Sequence, residues 1–121
     1  MAMYSEQLLD HFQNPRNPGE IADADAAAEI ENPACGDVLR LTLKHSAGRI
    51  TQVQFKAKGC VAAIACGSAL TELVAGKTLD EARKVGRADI TAAVGGLPQA
   101  SAHAVHLAVE ALTVALSRLK A

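Results

Sequence analysis

The rhythm of hydrophobic and polar positions changes along this chain, and each change marks an element. Leu8, Leu9 and Phe12 share one side of a short helix expected from Tyr4 to Phe12. The cluster Asn14-Pro15-Arg16-Asn17-Pro18-Gly19 stops it, because proline removes a backbone donor and Asn and Gly favour turns. Ala26 to Glu31 reads two ways: its alanines favour helix, whereas Ile30 and the following Asn32-Pro33 suit a short strand entering a turn. Next, Leu39, Leu41 and Leu43 alternate with Arg40, Thr42 and Lys44, the period-two pattern of a half-buried strand. Thr51, Val53, Phe55 and Ala57 alternate with Gln52, Gln54, Lys56 and Lys58 in the same way. Between them Ser46-Ala47-Gly48-Arg49 offers the glycine of a tight turn, so the pair predicts a β-hairpin.

After Cys60 the spacing is helical. Val61 to Val74 forms one helix, with Gly76 as a C-terminal cap. Thr78 followed by Glu81 is a capping-box pattern opening a helix to about Val85, and Ala88 to Val94 adds another turn or two. Pro98 lies near the start of a last helix striped by Val105, Val109, Leu112, Leu116 and Leu119. A hairpin sheet followed by helices predicts an α+β sandwich with a small antiparallel sheet of about three strands and helices on one face.

Composition narrows this picture. The chain of 121 residues is long enough for a single domain, 1–121, and half its residues are hydrophobic. Its core must be aliphatic and alanine-rich, since Tyr4, Phe12 and Phe55 are the only rings. Few aromatics and a net charge of −1 argue against nucleic-acid binding. No uninterrupted apolar run reaches the roughly 18 residues of a membrane span, and Met1-Ala2-Met3-Tyr4-Ser5-Glu6 lacks the features of a secretion signal. The expectation is a cytoplasmic protein with no membrane partner, a setting that disfavours disulfides. Its three cysteines then point to metal, sulfur chemistry or plain burial.

The hairpin places the cysteines. If His45 pairs with Ile50, Asp37 comes opposite Lys58 and Cys35 opposite Cys60. Both cysteines adjoin a glycine, and Cys60 precedes a helix whose amide dipole favours a thiolate. Two thiolates with the Asp37 carboxylate make a partial metal site; two small buried cysteines are the alternative reading. Cys66 lies six residues beyond Cys60, about 600° around the helix, in the apolar setting Ala63-Ile64-Ala65, and reads as a packed structural thiol. His45 falls at the hairpin loop, and His11 packs or faces water. His103 and His106 are one turn apart and can face one site.

The ordered segments Asp10-His11-Phe12 with Asn14-Pro15-Arg16-Asn17, Asn32-Pro33-Ala34-Cys35-Gly36-Asp37, Phe55-Lys56-Ala57-Lys58-Gly59-Cys60, Ala63-Ile64-Ala65 with Thr71-Glu72, Gly76-Lys77-Thr78 and Leu97-Pro98 resemble the iron–sulfur cluster assembly scaffold family. The likeness is to the IscU type and the N-terminal domain of NifU. The resemblance implies a surface site holding iron, a nascent [2Fe–2S] cluster or zinc, with metal ligands at Cys35, Asp37, Cys60 and His103. The family's third cysteine falls on Ala104. His106 and Cys66 are then auxiliary candidates, for a spare ligand and a substitute thiol respectively.

The resemblance further implies a non-enzymatic scaffold or carrier, with a cysteine desulfurase and apo iron–sulfur client proteins as partners. Tyr4, in an exposed apolar N-terminal helix, is the expected partner contact. The chaperone-docking segment of the family, Leu-Pro-Pro-Val-Lys, stands here as Leu97-Pro98-Gln99-Ala100-Ser101 and keeps only its first two residues. Two other readings stay open: a zinc-containing sulfur acceptor of the SufU kind, and a divergent paralogue that binds metal without assembling clusters.

Overall fold

A computed structural model describes residues 4–33 and 36–119. Helix α1 (Glu6–Gln13) precedes strands β1 (Ala26–Asn32), β2 (Asp37–Ser46) and β3 (Arg49–Lys58). Helices α2 (Val61–Val74), α3 (Leu79–Arg83), α4 (Arg87–Ala93) and α5 (Ala102–Ser117) follow, with a 3-10 turn at Gln99–Ser101 before α5. The three strands form one antiparallel sheet in the order β1-β2-β3, so the architecture is α+β as expected. The ambiguous segment is strand β1: Ala26, Ala28 and Ile30 pair with Leu43, Leu41 and Leu39, adding a row to the apolar face of β2. Pairing with a strand already committed to one buried face overrides the helix preference of alanine.

The hairpin forms, but its register is not uniform. His45 pairs with Ile50 and Ser46 with Arg49, whereas Lys44 pairs with Gln52 and Val38 with Lys58. Thr51 is therefore the extra residue of a β-bulge. The bulge lets Ile50 and Val53, three apart, both face the core while Thr51 is exposed, contrary to the simple alternation. Val38, not Asp37, stands opposite Lys58, a one-residue correction that bears on the site. The turn itself is tighter than four residues. Ala47 (φ 54°) and Gly48 (φ 77°) alone connect the paired strands, both at positive φ as a type I′ turn requires.

Helices α2 and α5 pack on the Leu39-Leu41-Leu43 face of the sheet, and α1 and α4 pack against α2. Helix α2 is buried on most sides, and Gly67 lets it approach closely: a Cβ there would stand 2.7 Å from Phe55 Cδ2. On α5, Ala104, Ala108, Ala111 and Ala115 are buried alongside Val105, Leu112 and Leu116, so the contact face is wider than the Val/Leu stripe. Gln99–Ser117 is long and apolar enough by composition to cross a membrane, although its apolar residues are interrupted by polar ones. Half of that stretch is buried against the sheet and α2, the role of a core helix.

The breaker segment after α1 is held along the outer edge of β3. Asn17 accepts from the Phe55 N–H at 3.0 Å, and the Gly19 N–H donates to the Phe55 carbonyl at 2.8 Å. His11 Nδ1 meets Ser68 Oγ at 2.7 Å, and the Arg16 N–H donates to the same oxygen at 2.9 Å. Thr71 Oγ1 donates to the carbonyls of Ser68 and Arg16 and accepts from Asn17 Nδ2. This network satisfies the polar groups buried between α1 and α2. It gives His11 and the Asn14–Asn17 stretch a structural role. His45 is half-buried rather than a loop-tip residue, and its Nδ1 is a buried atom without a hydrogen-bond partner among the described residues.

Candidate metal centre

The junctions around the sheet bring three ligating side chains to one point. Asp37 begins β2, Cys60 caps the N-terminus of α2 immediately after β3, and His103 lies in the first turn of α5. Their ligating atoms lie within 4.8 Å of one another. Asp37 is 2% exposed, and its carboxyl is the hub of the group. Oδ1 accepts from the Cys60 N–H at 3.1 Å; Oδ2 accepts from Cys60 Sγ at 3.4 Å and lies 3.2 Å from His103 Nε2. Cys60 Sγ in turn accepts from the Ala63 N–H at 3.4 Å, the bond expected of an N-cap side chain.

Gly59 makes the carboxyl's position possible. It has φ 137°, and a Cβ there would overlap Asp37 Oδ1 and stand 2.7 Å from Asp37 Cγ. The one-residue register correction is what swings Asp37 away from Lys58 and over the Gly59-Cys60 peptide.

Electrostatics at Cys60 differ from the sequence expectation. Burial pushes its thiol above the ordinary value, and the adjacent Asp37 carboxyl pushes the same way. N–H groups at the start of α2 pull it down, as the dipole argument requires, but do not win. A cation that ligates both groups would reverse this balance by displacing the thiol proton. The donor set of one sulfur, one imidazole nitrogen and one carboxylate oxygen suits zinc or iron.

The other candidates are placed differently. Cys35 lies outside the described residues. Cys66 is fully buried against the Leu39-Leu41-Phe55 core, and burial raises its thiol to about 12. It is not among the converging ligands. His106 is on α5 with its side chain 68% exposed, 3.8 Å from Glu110. Together with His103 it lines a groove of about 230 Å³ between α5 and the end of β1. Sequence reasoning missed Glu110 and Glu31 in that groove; the four-residue spacing of His106 and Glu110 was the available signal.

Tyr4 is half-buried, packing against both clusters of the core with its hydroxyl 3.4 Å from Ser101 Oγ. The exposed large hydrophobic residue of α1 is Leu9. Ala104, beside His103, is 1% exposed and turned into the core.

A three-stranded sheet backed by helices, with Asp, Cys and His gathered where β2, β3 and α5 begin or end, defines a small α+β protein with one corner whose side chains could hold a metal ion. The chain belongs to the NifU-like N terminal domain family, which matches residues 3–121. It is 46% identical over 114 residues to the iron-sulfur cluster assembly scaffold protein IscU 1 of Archaeoglobus fulgidus, covering 94% of this chain and 74% of that protein. Against the scaffold protein IscU of Aquifex aeolicus it is 44% identical, covering 93% of this chain and 73% of the other. Among solved structures, a nitrogen-fixing NifU-like protein (N-terminal) from Brucella abortus superimposes with a TM-score of 0.78 at 21% identity, covering 95% of this chain and 92% of that one. At that identity the structural likeness speaks for the fold.

Proposed function

We propose that this protein is an iron–sulfur cluster assembly scaffold or carrier, with iron or a nascent [2Fe–2S] cluster held as cargo at Asp37, Cys60 and His103. The observation that carries the reading is the convergence of those three ligating atoms within 4.8 Å. Kinship with proteins named as IscU scaffolds supports it. Cys35, two residues before Asp37, is assigned as the fourth ligand. Cargo held by two thiolates, one carboxylate and one imidazole is bound less firmly than by four thiolates, which suits a protein that must give the cluster up.

The role is binding and delivery rather than turnover of a substrate. A cysteine desulfurase supplies the sulfur, and apo iron–sulfur proteins receive the product. The departure at Gln99-Ala100-Ser101 removes most of the family's chaperone-docking segment from this chain. We place the protein in the cytoplasm.

With alanine at 104 and Cys66 deep in the core, sulfur arriving as persulfide has Cys60 or Cys35 as acceptor. The same mixed donor set favours zinc as an alternative occupant, the reading in which the protein is a zinc-bearing sulfur acceptor.

Anaerobic reconstitution with ferrous iron and sulfide tests the assignment. The expected result is a [2Fe–2S] visible spectrum that is lost in Cys60→Ala and Asp37→Ala and kept in Cys66→Ala. A colourless protein retaining one zinc and carrying a persulfide overturns the scaffold reading in favour of the sulfur acceptor.

A further inference from the structure

Ligating side chains on α5 continue outward from the inner centre. His103, His106 and Glu110 are spaced three and then four residues apart, which keeps them on one helix face. All three line the groove of about 230 Å³ beside β1, where Glu31 adds a second exposed carboxylate. His106 Nε2 and Glu110 Oε2 are 3.8 Å apart on side chains 68% and 49% exposed. Donors about 2.1 Å from one tetrahedral ion stand about 3.4 Å from each other, so a small side-chain rotation closes this pair on a cation. An imidazole with a carboxylate suits divalent iron, zinc or cobalt, and without a thiolate it holds such an ion weakly, with water completing the shell. His103 belongs to both places: its Nε2 faces Asp37 while its ring lines the groove.

We propose that His106 and Glu110 form an outer divalent-cation site in this groove, which captures the ion and passes it by way of His103 to Asp37 and Cys60. The relay rests on the reading of the inner centre as a metal site, whereas capture at the outer pair does not. Two exposed positions one turn apart can be changed without disturbing the core, so the test is not confounded by unfolding.

Cobalt(II), added anaerobically, distinguishes the two sites. A thiolate-to-cobalt charge-transfer band reports the inner centre, and equilibrium dialysis reports total binding. The wild-type chain is expected to take two equivalents and His106→Gln/Glu110→Gln one, with the thiolate band intact at saturation. At limiting cobalt that band should grow about tenfold more slowly in the double variant. Cys35→Ala/Cys60→Ala, which removes both thiolates assigned to the inner centre, should lose the band and keep one equivalent. Unchanged stoichiometry and unchanged loading rate in His106→Gln/Glu110→Gln would overturn the proposal. A wild-type chain that never shows the thiolate band, yet holds a cobalt ion which the double variant releases, refutes the inner-centre reading and upholds the outer site.

Discussion

Gly59→Ala tests the geometry of the centre most directly, because the added atom is aimed at Asp37. At φ 137° the backbone lies in a region nearly reserved for glycine, and forcing alanine there costs roughly 1–3 kcal/mol. The new Cβ would also stand 2.7 Å from Asp37 Cγ and 3.0 Å from its Cα, so the carboxyl must leave its site. Its bonds from the Cys60 N–H and to His103 break, and a buried polar group loses its partners. That adds about 2–3 kcal/mol, for a total of about 3–6 kcal/mol.

Urea denaturation of Gly59→Ala measures the sum. Gly76→Ala serves as the reference, since Gly76 has φ 77° and open space where its Cβ would go. In an Asp37→Ala background the carboxyl has no site to lose, so a double-mutant cycle should return a coupling of about 2–3 kcal/mol between positions 37 and 59. Gly59→Ala should also abolish the thiolate–cobalt band. If it costs no more than Gly76→Ala, adds independently to Asp37→Ala and keeps the band, the reasoning fails.

Three further outcomes follow from separate parts of the molecule. Alkylation of the native protein at pH 8 should modify Cys60 while sparing Cys66, whose buried thiol is raised to about 12; early modification of Cys66 in folded protein contradicts its placement. Burial, with Arg16 beside it, holds the His11 imidazole below its ordinary 6.5, so the unfolded chain binds the proton first. The stability contributed by a neutral His11 is therefore full above 6.5 and falls as the pH drops below it, and His11→Gln should flatten the dependence of the urea midpoint on pH between 7 and 5.5. At the hairpin turn, Ala47 occupies positive φ without a side chain suited to it; Ala47→Asn should stabilise by about 0.5–1 kcal/mol, read as a higher thermal midpoint with an unchanged sheet spectrum.

Much of this protein is settled locally and is legible in one dimension. The alternation of Leu39, Leu41 and Leu43 gives β2 its apolar face, and Thr78 with Glu81 does form the capping box, through bonds of 2.9 and 3.1 Å. Cys60 caps α2 from its place directly after Gly59, one residue beyond the end of β3, again a matter of neighbours in sequence. Strand pattern alone brings Asp37 and Cys60 to one end of the hairpin as a partial metal site, whereas His103 joins the ligand set only through family likeness, since it is 66 residues from Asp37 and no periodicity links them.

Tertiary structure decided what depended on competition between distant parts. Ala26–Asn32 became a strand because β2 offered an unpaired edge, and helix α5 used its alanines because the sheet let it come close. The bulge at Thr51 followed from the need to bury both Ile50 and Val53, and it moved the pairing by one residue. That shift set Asp37 over the Gly59-Cys60 peptide, where burial and a carboxyl neighbour raise the Cys60 thiol against the helix dipole. Sequence alone thus determined which residues were available to bind a metal and which elements carried them. Only the packed fold decided which of them meet, because the contact between β2, α2 and α5 is set by burying one shared apolar face.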